Sequence, residues 1–535
     1  MTKEDNRSSE TRETDAPTDH STTTFSRRSY LRGLGAAGLA GGLVQRGGLV
    51  GAAAAADPSQ YADRFETVVD VVDAGADNSG QEPVSSVLQE HLDDDTLLAF
   101  PPGRYYMDEQ VRFTDFDNVG LVGDDATLVP ANFHDFDGPQ YRLFRLGTHY
   151  SPGTDLLVVG FTVDQTAPDT GIRVVDAVVD DGLHVEDVYV DGRHDSGTFG
   201  PGRFNVLDAG GDGLVRRFRA PDGGQWESET PNAGNIWRGP TGILANMTAG
   251  TLRFEDCELG GFPDNGLYAS GGSGRIIVDG GHYRNSNAPN IRVGGAKAVV
   301  RGVTVTVDET PAVGFDDQRG IRLQNAADAE ILQTTVDVRV DQGVTAIHVP
   351  GSAGTVWIED VDVTVDSSVG NTAISVSPDA GKTTVYSSTI DMSAPGGYGI
   401  VFEGPDASAS AHVESVDIVG DVGDEGARAA IRNTRDDVDF RAVSIDQPGG
   451  QKRYGLVNLG DDCLVYKSNV RTANYPLLEA GTGTHVEDNY ANSYGDREAI
   501  ALHDDSEDVY LKNNRLRGGI RDAGSAGLKL VGNEF

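Results

Sequence analysis

A short phrase recurs down most of this chain and constrains the fold more than any other feature. It consists of a small residue, an apolar one, any residue, and often a second apolar one. Instances include Gly266-Leu267-Tyr268, Asn290-Ile291-Arg292-Val293, Gly320-Ile321-Arg322-Leu323, Ala346-Ile347-His348-Val349 and Gly399-Ile400-Val401-Phe402. Between Ile243 and Ile520 the phrase returns at a mean spacing of about 25 residues, a period that marks a solenoid. A second phrase interleaves with it, as in Leu252-Arg253-Phe254-Glu255-Asp256-Cys257 and Val356-Trp357-Ile358-Glu359-Asp360-Val361. Its two-residue alternation describes a strand with one buried face. Gly, Asp, Ser and Asn turns separate the phrases. A unit this small cannot bury its apolar face alone, so units must stack. The expected fold is all-β, a parallel β-helix in which Ile291, Ile321, Ile347, Ile374 and Ile400 form one buried column. The Leu/Asn pattern of leucine-rich repeats is absent, and the regular period argues against a β-sandwich.

The segment before the repeats has its own character. Val72-Asp73-Ala74-Gly75-Ala76-Asp77 precedes a helical stretch, Pro83 to Leu92, and then Phe100-Pro101-Pro102-Gly103-Arg104-Tyr105 and Val119-Gly120-Leu121-Val122-Gly123. Over residues 68 to 130 this resembles the start of the pectate-lyase-like superfamily of right-handed parallel β-helices, which includes polygalacturonases, pectate lyases and phage tailspikes. The resemblance implies a short helix that caps the N-terminal end of the solenoid. It speaks to fold far more than to chemistry. The expected organisation is an export signal over 1–56, a cap region over 57–95, and one β-helix over 96–535 with an insertion at about 192–241.

The charge is extreme. The 535 residues include 60 Asp and 23 Glu against 36 Arg and 7 Lys, a net charge of -40. Such a surface repels nucleic-acid phosphates, which argues against a nucleic-acid partner. It also repels itself, unless high salt shortens the Debye length to about 3 Å. Acid-rich, Lys-poor surfaces of this kind are similar to those of extreme halophiles. Disorder, the other outcome of high charge, is at odds with the regular Val, Ile and Leu pattern.

Near the N-terminus, Ser26-Arg27-Arg28-Ser29-Tyr30-Leu31 leads into a Gly/Ala-rich apolar stretch, and Ala52 to Ala56 offers a cleavage site. This resembles a twin-arginine export signal. The expected mature protein is secreted and has no stable membrane span. The signal carries 7 basic and 6 acidic groups, so the remainder stands at -41. Asn246-Met247-Thr248 is a glycosylation sequon. Cys257 and Cys463 lie too far apart in sequence for a metal-ligand pattern, and they read as buried small hydrophobes.

Two regions attract attention for chemistry. Gly460-Asp461-Asp462-Cys463 resembles the polygalacturonase segment that carries two catalytic carboxylates, but its register points to a solvated turn. The expected downstream Gly-His-Gly and Arg-x-Lys are also missing. The central region offers more. The stretch 192–241 holds Trp226, Trp237, His194 and the cluster Arg216, Arg217 and Arg219. Aromatic rings suit sugar faces, and Arg suits uronate carboxylates. In the Ile-x-Val phrase the middle residue points outward. Arg292, Arg322 and His348 are therefore expected on one external face. Asp264 and Asp317 precede such phrases two coils apart, at roughly the upper separation for an inverting carboxylate pair. The expected catalytic group is Asp264, Asp317, His282 and Arg292. The expected substrate contacts are Arg322, His348, Tyr268, Tyr283, Trp226 and Trp237. Calcium is a candidate cofactor if the reaction is a lyase. The expected partner is an acidic polysaccharide or cell-surface glycan, bound and cleaved by a lyase or glycoside hydrolase. The alternative is a non-catalytic adhesion β-helix.

A mature charge of -41 predicts a salt-dependent fold. The thermal midpoint should fall steadily as salt drops below about 1 M, because the Debye length grows and repulsion returns. A melting series from molar to millimolar salt checks this, and an unchanged midpoint would remove the halophilic reading.

Overall fold

The computed structural model describes residues 52–138, 140–234, 238–310, 318–404, 409–422, 428–450 and 452–535. Within them, 46 parallel-paired strands wind into a right-handed β-helix of about 16 coils. After Ile243 each coil supplies three strands, and each strand pairs with the one three places further on. Leu267–Ala269 pairs with Pro289–Gly295 on face one. Arg275–Asp279 pairs with Lys297–Arg301 on face two, and His282–Arg284 pairs with Thr304–Val307 on face three.

Alternation along each strand sends one residue inward and the next outward. Ile291, Ile321, Ile347, Ile374 and Ile400 are direct register partners in successive coils. All five are fully buried. The column extends through Ile431, Leu456, Leu477, Ile500 and Ile520. Burying each such side chain contributes about 1.5–3 kcal/mol. Cys257 and Cys463 are free and buried, as their spacing suggests.

The corner from face two to face three is a two-residue bend. Its first residue takes a left-handed backbone, with φ 49° at Gln333, 55° at Asp360, 57° at Ser415, 50° at Ala442 and 52° at Lys467. An L-residue pays roughly 1–2 kcal/mol for this geometry. The amide of each bend donates to the next coil, as Asp360 N does to Tyr386 O at 3.2 Å and Ala442 N to Tyr466 O at 2.9 Å. The second residue of the bend turns inward. In the last coils it is asparagine. Asn489 donates N and Nδ2 to Asn514 Oδ1 at 2.9 and 3.0 Å, and Asn514 does the same to Asn533 Oδ1. Each buried amide is thereby satisfied without water.

Helix α1 (Ser85–His91) is shorter than the sequence suggests, because Pro83 closes the preceding strand. Leu88 of the helix is fully buried in the same core, and α1 packs against strand Val111–Phe113. The stretch 192–241 is more regular than expected. It contains strands Gly202–Val206 and Asp212–Ala220, which sit in the ladders of the coils before and after them. Among the described residues of this stretch, 193–201, 221–234 and 238–242 lie outside these strands as long excursions. No helix among the described residues is long and apolar enough to cross a membrane.

A second interior column is also polar. Asn433, Asn458 and Glu479 are register partners. Asn433 Nδ2 donates to Asn458 Oδ1 at 2.8 Å, and Asn458 Nδ2 donates to Glu479 Oε1 at 3.0 Å. Glu479 is 2% exposed. Burial pushes its carboxyl up to about 8 from an ordinary 4.5, against the pull of its Gly481, Asn458 and Thr484 donors.

Two outcomes follow for stability. Ile347→Ala should cost about 2–5 kcal/mol through the cavity it opens, seen as a lower thermal midpoint. Because the folded-state value of Glu479 lies above the ordinary one, its contribution is whole below about 4.5 and is lost as pH rises through about 8. Midpoints measured from pH 5 to pH 8 should fall in the wild type and fall less in Glu479→Gln. Parallel slopes would refute the assignment to Glu479.

Candidate functional site

On face one, the outward residues of successive coils run in register through Arg112, Arg145, Asp176, Arg203, Leu244, Tyr268, Arg292, Arg322 and His348. Neighbouring positions lie about 4.8 Å apart. In a chain with net charge -40, this column is predominantly cationic.

At Asp176 the column is sealed. Asp176 points outward yet is 1% exposed. Arg142 donates to it, Arg173 Nη1 approaches at 3.3 Å, and Arg203 Nη1 at 3.2 Å. Burial pushes the Asp176 carboxyl up, but these arginines outweigh that and hold it below the ordinary range. The excursion 193–201 covers this cluster. Arg173 Nε donates to Gly200 O at 2.9 Å, and its guanidinium lies 5.2 Å from the Phe199 ring centre. His194 anchors the same excursion. Its Nδ1 is 3.2 Å from Gln165 Oε1, and its Nε2 is 3.0 Å from Thr198 Oγ1. Burial and nearby Arg173 push its pKa down to about 3, so the ring stays neutral. The second excursion binds the first through Gln225 N to His194 O at 2.9 Å and Asn232 Nδ2 to Gly197 O at 3.0 Å.

The column opens from Tyr268 to His348, where the side chains are half-buried. The Arg292 guanidinium lies 4.2 Å from the Tyr268 ring centre, a cation–π contact that fixes its position. Asp264 stands at the turn leading into this stretch. Its Oδ2 accepts from Thr241 Oγ1 at 2.7 Å, and its Oδ1 accepts from Asn265 Nδ2 at 2.8 Å. Burial pushes the Asp264 carboxyl above the ordinary range, against the opposing pull of Thr241, Arg292 and Asn265. Several buried polar atoms around the open stretch meet no hydrogen-bond partner among the described residues: Asn265 Oδ1, Asn246 Oδ1, Arg292 Nε and Gln324 Oε1. Orphans of this kind in a native fold call for a partner beyond the described residues.

Asp264, Arg292, Arg322, His348 and Tyr268 thus share one face. Asp317 and Trp237 lie outside the described residues. His282 does not join the group, because its strand belongs to face three, where its Nε2 sits 2.9 Å from Thr306 Oγ1. Tyr283, expected to touch substrate, points into the core and is fully buried, and burial pushes its hydroxyl well above the ordinary value. Strand alternation requires this: with His282 and Arg284 outward, Tyr283 must face inward. Trp226 is 7% exposed and offers no open ring face. Arg216 and Arg217 are engaged elsewhere, Arg216 with Glu255 at 2.7 Å and Arg217 with Asp187 at 2.6 Å and with Glu186. Asp461 and Asp462 are exposed, and Asp461 Oδ1 caps Thr482 N at 2.7 Å, as a solvated turn would. Sequence reading missed Asp176 and Thr241. The only available signal for Asp176 was its place in the outward column, between Arg145 and Arg203.

Calcium takes roughly six to eight oxygen ligands. Among the described residues the open stretch sets the carboxylate of Asp264 against Arg292, and this donor set does not fit the ion.

No protein-family model and no curated protein sequence matches the chain. Among solved structures it is similar to the surface protein and adhesin PfbA of Streptococcus pneumoniae, at 12% identity and TM-score 0.38 over 87% of this chain and 100% of that one. It is similar to the catalytic unit of a thermostable α-1,3-glucanase from Streptomyces thermodiastaticus, at 13% identity and TM-score 0.24 over 91% and 70% of the two chains. It is also similar to the A-module of the Azotobacter vinelandii mannuronan C-5 epimerase AlgE6, at 11% identity and TM-score 0.29 over 87% and 98%.

Proposed function

We propose that this is a secreted, halophilic β-helix protein of the pectate-lyase-like type that binds and cleaves an acidic polysaccharide along face one. The observation that carries this reading is the in-register column Tyr268, Arg292, Arg322 and His348 beside the half-buried Asp264. Arginine forks match carboxylates bidentately, and a coil rise of about 4.8 Å brings one such group past each successive sugar. Arg292, braced on Tyr268, takes the carboxylate of the central sugar, and Arg322 takes that of its neighbour. Asp264 holds the proton that is exchanged at the scissile position. Burial pushes that carboxyl above its ordinary range, the direction a general acid requires. In the hydrolytic version Asp317 supplies the second carboxylate. Export through the twin-arginine signal would place the activity outside the cell.

The test is a panel of uronate-containing and neutral polysaccharides in molar salt, read by ultraviolet absorbance for unsaturated products and by new reducing ends for hydrolysis. With the substrate found, Asp264→Asn should slow turnover by about 10²- to 10⁴-fold, and Arg292→Gln should raise KM for acidic chains. Full activity in Asp264→Asn would move the chemistry elsewhere. Saturable binding of acidic chains without any product would favour the adhesion reading.

A further inference from the structure

Face two carries a second grid of outward side chains, well away from Asp264 and Arg292. Trp357, Thr384, His412 and Asp439 are register partners in four successive coils, and Glu359, Tyr386, Glu414 and Arg441 form the parallel column two residues further along. Thr384 is small and sits between Trp357 and His412, so the surface dips there. The result is a cavity of about 380 Å³ lined by Trp357, Thr384, Tyr386, His412, Glu414 and Asp439. That volume lies in the range of small-molecule sites.

The walls are held in place by their own contacts. Trp357 Nε1 donates to Glu359 Oε2 at 2.7 Å, and the Trp357 and Tyr386 ring centres lie 6.0 Å apart at 34°. His412 Nε2 is 2.8 Å from Glu414 Oε2, and its Nδ1 is 3.7 Å from Asp439 Oδ2. Arg441 Nη2 lies 2.9 Å from the same Asp439 oxygen. Aromatic rings on one side thus face two oriented carboxylates on the other. Asp437 and Lys382 also line the cavity. Counting Glu359, the carboxylates outnumber His412, Lys382 and Arg441, so an anionic sugar is repelled. A neutral sugar fits: ring faces stack on the aromatic side, and hydroxyl pairs donate to Glu414 and Asp439.

We infer that this groove on face two is a binding site for a neutral hexose unit, separate from the acidic-polysaccharide face. The inference does not rest on the reading of face one.

The test titrates the full chain in molar salt with neutral gluco-, manno- and galacto-oligosaccharides and, separately, with galacturonate oligomers. Tryptophan fluorescence and calorimetry report binding. At least one neutral series should bind saturably and shift the tryptophan emission, and galacturonate oligomers should not compete. Trp357→Ala should weaken that binding by about tenfold or more, as loss of an aromatic anchor does. Thr384, 5% exposed, forms the floor of the dip, so Thr384→Tyr fills it and should abolish binding in the folded variant. The inference is overturned if no neutral series binds, if galacturonate competes for the site, or if a folded Thr384→Tyr binds like the wild type.

Discussion

The main-chain ladder between coils governs everything else in this structure. Each strand donates to the strand one coil on, and among the described residues every strand pairing is parallel. Parallel ladders space partners evenly, at about 4.8 Å. A residue's position in its coil therefore fixes its neighbours above and below, whatever its type. Inward positions accumulate into apolar columns such as Ile291 to Ile400. Outward positions accumulate into columns whose chemistry is free to vary. The left-handed corner after face two recurs for the same reason. Its conformational cost is offset by an inter-coil bond at each repeat, so Gln333, Ala442 and Lys467 sit where glycine would be easier.

Electrostatics then divides the surface. The chain's acidity is general, but the face-one column gathers arginines at one register position. Where the excursion 193–201 covers that column, Asp176 compensates Arg142, Arg173 and Arg203 in a closed cluster. A buried charge without a partner would cost several kcal/mol, so the single acid among so many bases has a structural reason. Below the cover, the open stretch offers Asp264 as its acid beside Arg292. Among the described residues, polar atoms of Asn265, Arg292 and Gln324 there meet no partner.

Much of the fold was legible from the repeated phrase alone. Ile-x-Val spacing encodes both the coil length and which residue points in, so the isoleucine column and the sharing of one face by Arg292, Arg322 and His348 could be read directly. The errors arose where one strand was read without its corner. His282 follows a two-residue bend at Gly280 and Gly281, which moves it to face three, and the period by itself does not announce that change. Tyr283 was legible by parity. The coil inside 192–241 was hidden because Gly202-Arg203-Phe204 puts glycine, not isoleucine, at the column position. Asp176 was not legible, since its burial depends on which excursion covers it, and that is a tertiary fact.

The same logic bounds what a solenoid's core can reveal about its ligand. The coil that places His348 on face one places Trp357 on face two, and both are outward neighbours of fully buried residues, Ile347 and Ile358. Exchanging either outward residue leaves the inward columns, the corners and the ladder untouched. Fold and recognition are therefore specified by different residues of the same strands. A cationic column and an acid-lined aromatic groove coexist on one backbone because the pleat separates the positions that hold it from those that meet solvent. Recognition on either face must be argued from its outward side chains and their charges, not from the helix that displays them.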